Sequence, residues 1–268
     1  MSGPELYIHP SRPRMRVRPF KAMSHMKQLI ADKEDTKQVF FILRALNGDA
    51  LRKNLERSVS SPEGRARWTE KLSLAPRLDD HASFGDLAPG TVGRAYIEFM
   101  KREGLTASGL VEESEIRLEG EPRYEDDIEW YGNRLRDTHD MFHVLSGYGR
   151  DGLGEAALLL FSAGQNPNRG ASFISFMGFR EMQKVIGNHV DLKTVRKEAR
   201  ENGRRAKKIA DQDILAMLDQ PIADVRERLK IPKPIAYKEA LATLAEMPDF
   251  AQNTSCLLYT SPSPRDRG

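Results

Sequence analysis

Cysteine is nearly absent: Cys256 stands alone among 268 residues, which excludes an internal disulfide and fits a reducing compartment. Long apolar runs are missing as well. The longest, Ala156 to Phe161, falls far short of the ~18 apolar residues of a membrane-spanning helix, and the first residues lack the apolar core of a secretory signal. Neither charge sign is in excess. A net charge of +3 gives no global support for nucleic-acid binding, and the basic segments lack interleaved aromatics on which bases could stack. Repeats, internal linkers and alternating β-branched runs are missing too, so no sheet is expected. What remains, 39% hydrophobic and 30% charged residues in 30.3 kDa, is the balance of a soluble globular protein. The expectation is an all-α fold, a single globular multi-helix domain with a helix-loop-helix metal site.

Histidine is scarce, six in all, yet two stand in His139-Asp140-Met141-Phe142-His143. Around them Ile128, Tyr131, Leu135, Thr138, Phe142 and Leu145 recur at steps of three and four, which predicts one helix from about Asp126 to Ser146. A four-residue step puts both imidazoles on one side, one turn apart, as a two-histidine metal site on a helix requires. Asp140, roughly 100° around the helix from His139, can reach the same ion from the edge of that face or orient a ligand from behind. Ser146-Gly147-Tyr148-Gly149 ends the helix, and a second begins near Asp151 or Gly152. That second helix is apolar all round apart from Glu155, and an unpaired buried charge is unfavourable by several kcal/mol. Glu155 can satisfy the free N–H groups of its own helix end, or it can bind a metal. The conjunction of two spaced histidines, an adjacent aspartate and a returning glutamate favours the metal. Nitrogen and oxygen donors without thiolate suit a divalent ion with an open position: zinc first, with iron, manganese, cobalt or magnesium as alternatives.

His-Asp-x-x-His, eleven intervening residues and then Glu resembles the signature of the ubiquinone (coenzyme Q) biosynthesis protein 4 family. The likeness continues in Gly90-Thr91-Val92-Gly93-Arg94-Ala95-Tyr96, Asp126-Asp127, Arg134-Leu135-Arg136, Gly154-Glu155-Ala156, the stretch from Asn202 to Lys207 and the stretch from Pro221 to Arg226, and covers roughly Val39 to Tyr237. It implies that His139, Asp140, His143 and Glu155 hold an ion and act through it. The reaction implied is decarboxylation at ring carbon 1 of a 4-hydroxy-3-methoxy-5-polyprenylbenzoate-type precursor, with or without hydroxylation there. Implied partners are that polyprenylated ring, other ubiquinone-biosynthesis proteins and an anionic membrane surface, with a homodimer left open. Such a protein is expected in the cytoplasm on the inner membrane of a bacterium, towards which the missing presequence leans, or on the matrix side of the inner membrane in a mitochondrion. Arg134, Arg136 and Arg150 have the fork geometry to pair with a substrate carboxylate, or they pair with Asp137, Asp151 and nearby acids. Two other readings stay open. One is a non-catalytic lipid-binding organiser of the ubiquinone enzymes; the other is a His-Asp metal phosphohydrolase using His81 and Asp191, which leaves His143 and Glu155 without a role.

Elsewhere, residues 1–35 read as an extended basic arm, with Pro4, Pro10, Pro13 and Pro19 among Arg12, Arg14, Arg16, Arg18 and Lys21. The domain proper is expected over 36–250: a helix from Thr36 to about Val59, turn-rich residues 62–90, and a helix from Pro89-Gly90 to Gly104. Next come an apolar helix with Phe173, Phe176, Phe179 and Met182, suited to core packing or to a hydrocarbon groove, and a basic helix from Asp191 to about Asp211. Two short helices follow, the second opened by Pro221, and a last one runs near Tyr237 to Glu246. Residues 251–268 resemble translated sequencing-adapter read-through and are expected to be foreign and disordered.

Overall fold

The computed structural model describes residues 4–32, 37–84, 86–117 and 122–247; the expected foreign tail lies outside them. Among the described residues every regular element is helical, so the all-α expectation holds. The chain forms two compact units, each gathered from three stretches: Met1–Arg14, Asp49–Leu145 and Lys208–Leu229 in the first, the remainder in the second. Because the chain passes between them five times, no cut in sequence separates them.

The N-terminal stretch corrects the expectation of an extended solvated arm. Pro19, in the first turn of α1 (Pro19–Ala31), presets a helical φ, and Ala22, Met26 and Leu29 bury one stripe against Ile42 and Ala45 of α2 (Lys37–Asn47) and Ile174. Residues 7–12 are also anchored, through Asp126 and Asp127. The single helix expected over 36–59 is broken, because Gly48 takes a left-handed φ of +47° before α3 (Ala50–Ser60) begins.

Residues 62–90 are not merely turns. Ser61 accepts the Gly64 N–H and Pro62 starts α4 (Pro62–Glu70); α5 (Ala75–Asp79) and a 3-10 turn over His81–Phe84 follow. Thr91 caps α6 (Val92–Glu103), which stops at Gly104 with φ +66° as expected. A helix that sequence periodicity missed, α7 (Ala107–Arg117), is capped by the Asp79 carboxylate, which accepts the Ala107 and Ser108 N–H groups at 2.6 and 2.7 Å.

The helix expected from Asp126 to Ser146 is two: α8 (Asp127–Asp137) and α9 (His139–Ser146). Thr138 stands between them at φ −91°, ψ 0°. Its hydroxyl donates to the Arg134 carbonyl at 2.8 Å and the Leu135 carbonyl at 3.3 Å, the back-bonding that bends helices at threonine. One core cluster of the first unit is Leu55, Val59, Ile128 and Tyr131, with Leu51, Trp68 and Leu135 against it.

In the second unit α10 (Gly152–Gln165) is buried nearly all round, as its composition requires. It lies against α12 (Leu192–Arg205) so closely that a Cβ at Gly203 would sit 2.0 Å from the Phe161 carbonyl oxygen. On α11 (Arg169–Ile186), Ile174, Phe179 and Met182 are buried, while Phe176 and Val185 are exposed. Helix α12 ends at Arg205, short of the expected Asp211; its Val195 and Ala199 point inward and Lys193, Lys197, Arg204 and Arg205 outward. Two 3-10 turns, α13 (Ile222–Arg228) behind Pro221 and α14 (Ile235–Ala245) complete the chain.

Candidate metal centre

Eight residues make α9, too few for a helix to persist alone in water, so its neighbours must hold it. Thr138 fixes its start. At its end Arg226 of α13 donates to the carbonyls of Leu145 at 2.9 Å and Val144 at 3.0 Å, placing a cation where the helix dipole is negative.

On that fixed helix His139, Asp140 and His143 each offer a ligand atom within 4.8 Å of the others. The imidazoles meet edge to face, ring centroids 5.0 Å apart at 89°. His143 is buried, Asp140 is 8% exposed and His139 is half-buried. Phe99 of α6 stacks on His143 at 5.4 Å and 24°, which fixes the plane of that ring. Two imidazoles and a carboxylate, convergent, two of the three buried, and free of thiolate, suit a divalent ion. One turn before Phe99, the Tyr96 phenol is pushed far above its ordinary pKa, first by burial and then by the charges of Asp140, Asp79 and Asp137; it stays protonated.

Glu155 lies in the first turn of α10, behind the N-cap Asp151, whose carboxylate accepts the Gly154 N–H at 2.9 Å. The turn is braced further. The Tyr237 hydroxyl donates to Asp151 and accepts the Gly149 N–H; burial first, and then Asp151, raise the Tyr237 pKa. Glu155 is 6% exposed, and Arg150 Nε lies 3.8 Å from its Oε1. The triad belongs to the first unit and Glu155 to the second, so its joining the ligand set rests on sequence spacing.

All three arginines singled out from sequence engage the protein's own atoms. Arg134 is buried and donates to the carbonyls of Ala210 at 2.5 Å and Gln212 at 2.7 Å, a structural task in place of the expected substrate contact. Burial, followed by the charge of Arg67, lowers its pKa to about 10. Arg136 clasps Asp137 at 2.8 Å and donates to the Ser114 hydroxyl, the ion-pair alternative; Arg150 pairs with Glu155. Of the phosphohydrolase residues, Asp191 caps α12 through the Thr194 N–H, and His81 is not among the residues of the convergent cluster. Sequence reasoning missed Tyr96, Phe99 and Arg226. The first two share one face of α6 at i and i+3 and read there as ordinary apolar positions.

Fold and site together define an all-α protein with a histidine-carboxylate triad on one short helix. The fold matches that of a crystallised Nostoc punctiforme protein provisionally named for ubiquinone biosynthesis, with a TM-score of 0.62 and 21% identity over 81% of this chain and 100% of that one. Residues 21–235 match the family described as Coenzyme Q (ubiquinone) biosynthesis protein Coq4, and the chain belongs to that family. Relatives named ubiquinone biosynthesis protein COQ4, mitochondrial, are 27% identical in Podospora anserina, over 77% of this chain, and 24% identical in Ajellomyces capsulatus, over 74%. A zebrafish (Danio rerio) homolog of the same name is 24% identical over 67% of this chain. The match spans 62% of the Podospora protein and 68% of the Ajellomyces one. No helix among the described residues is long and apolar enough to cross a membrane.

Proposed function

We propose that this chain removes the ring carboxyl, with a bound divalent ion, from a 4-hydroxy-3-methoxy-5-polyprenylbenzoate-type precursor in coenzyme Q biosynthesis. The observation that carries the reading is the convergence of His139, Asp140 and His143 within 4.8 Å on one buried helix, in a chain of this family. Glu155 is the fourth candidate ligand by its spacing from His143 in sequence. A bound ion, zinc first, supplies Lewis-acid stabilisation of charge developing on the ring's oxygen substituents. The chain's own residues set up that chemistry. Phe99 orients the His143 ring, Thr138 and Arg226 keep the ligand spacing fixed, and burial keeps water out, so that each charge acts more strongly. The bond between ring carbon 1 and the carboxyl breaks, carbon dioxide leaves, and the electron pair left on the ring takes up a proton. The exposed basic face of α12 serves to dock the protein on an anionic membrane beside other enzymes of the pathway, and the mitochondrial names of the relatives support a matrix-side location where that organelle exists.

Replacing the cell's own copy with the His143→Ala form, at matched protein level, tests this by mass-spectrometric lipid profiling. The expected result is accumulation of a prenylated ring that still bears its carboxyl, a fall in quinone of about tenfold or more, and a loss of bound metal with under about 1 kcal/mol of stability. Normal quinone would overturn the reading and leave a non-catalytic lipid-binding organiser.

A further inference from the structure

Two polar atoms that this chemistry leaves unused are carried on neighbouring rings in the first unit. The Tyr96 hydroxyl, on a residue 1% exposed, is buried without a hydrogen-bond partner among the described residues, and so is His81 Nε2. Their rings meet edge to face, centroids 6.3 Å apart at 86°. Folds seldom leave a buried donor or acceptor unmatched. Two neighbouring ones, from α6 and from the 3-10 turn over His81–Phe84, argue for a shared ligand. Tyr96 stands one turn from Phe99, whose ring stacks on His143, so the pair borders the triad.

The surroundings define that ligand's chemistry. Asp79, Asp137 and Asp140 all act electrostatically on the Tyr96 phenol, and three carboxylates disfavour a fourth negative charge. A carboxylate or phosphate is therefore the wrong occupant. Tyr96 offers a hydrogen to donate, and His81 Nε2 can donate or accept according to tautomer. A neutral hydroxyl, which accepts one hydrogen bond and donates another, matches both, and two aromatic walls suit a hydroxyl carried on a ring.

We propose that Tyr96 and His81 form the subsite for the phenolic hydroxyl of the ring substrate, Tyr96 donating to its oxygen and His81 Nε2 accepting its hydrogen. The proposal rests on the reading that the ring binds beside the triad. It is tested by calorimetric titration of the metal-loaded full chain with geranylated 4-hydroxy-3-methoxybenzoate and with its 4-methoxy counterpart. The wild type should bind the phenol about tenfold tighter than the ether. Tyr96→Phe should bring that ratio close to one, with bound metal unchanged and melting temperature equal or higher; His81→Gln gives the same comparison should Tyr96→Phe fold poorly. Equal affinity in the wild type, no binding of either compound, or a ratio that survives both substitutions overturns the subsite, the last two results pointing to a bound water at most. Carbon dioxide release is measured separately. A protein that keeps the phenol preference but releases none sinks the decarboxylation and spares the subsite; the converse sinks the subsite alone.

Discussion

Buried carboxylates at the start of α8, Asp126 and Asp127, and the single one on α9, Asp140, stand in opposite surroundings. Asp126 accepts the Arg12 fork at 2.5 and 2.6 Å and the N–H groups of His9 and Glu129. Its neighbour Asp127 accepts the Tyr7 N–H at 2.8 Å and meets Lys71 at 2.6 Å. Each acid there is surrounded by donors from the chain, and the result ties residues 7–12 to the start of α8. On α9 the carboxylate of Asp140 converges instead with two imidazoles, nitrogen and oxygen donors gathered toward one point. A cluster that supplies its own cations is structural. A cluster whose nitrogen and oxygen atoms converge has the geometry the proposed metal site needs.

The comparison can be broken most forcefully at Asp126. Asp126→Ala leaves the half-buried Arg12 fork and two N–H groups unmatched, and should lower the unfolding free energy in urea by about 3 kcal/mol, with bound metal per chain unchanged. Metal falling in step would show that the clusters are not separable. Glu155→Gln should do the reverse, weakening metal affinity about tenfold in a chelator competition, about 1.4 kcal/mol, while the metal-free protein melts as before. Unchanged affinity would make Glu155 only a helix-end acid. The smallest effect is on acid stability. Burial pushes the Asp126 carboxyl up, but the Arg12 hydrogen bonds and the N–H groups of Glu129 and His9 outweigh it and hold the group below its ordinary range. A depressed folded pKa means stability that is present above the unfolded value, about 3.9, and lost as pH falls through the folded one. Unfolding free energy should thus decline below about pH 4, and Arg12→Ala should make the decline shallower.

The convergence of His139, Asp140 and His143 was legible because it is local: a step of four on a helix needs no tertiary knowledge. So were the helix start near Asp151 and the stop at Gly104, where the residue type itself marks a helix end. The break at Thr138 was hidden because the apolar spacing continues across it in register. Residues 105–117 carry no clear stripe, and α7 owes its start to Asp79, nearly thirty positions away. Arg134 looked like a substrate fork because its acceptors, the Ala210 and Gln212 carbonyls, lie 76 and 78 residues downstream. Backbone carbonyls leave no mark on sequence. Tyr96 and Phe99 were hidden in plain pattern, since a residue that packs on a ligand and one that fills a core occupy the same helical positions.

The bond from Arg226 to the Leu145 carbonyl spans 81 residues. At roughly 5–20 residues per second, the histidine helix leaves the ribosome about 4–16 s before the side chain that closes its end has been made. Through that interval His139, Asp140 and His143 exist without the contact that holds the end of their helix. The geometry of the histidine helix is therefore a property of the finished chain, and a truncation ahead of residue 226 would keep His139, Asp140 and His143 while losing the side chain that closes their helix.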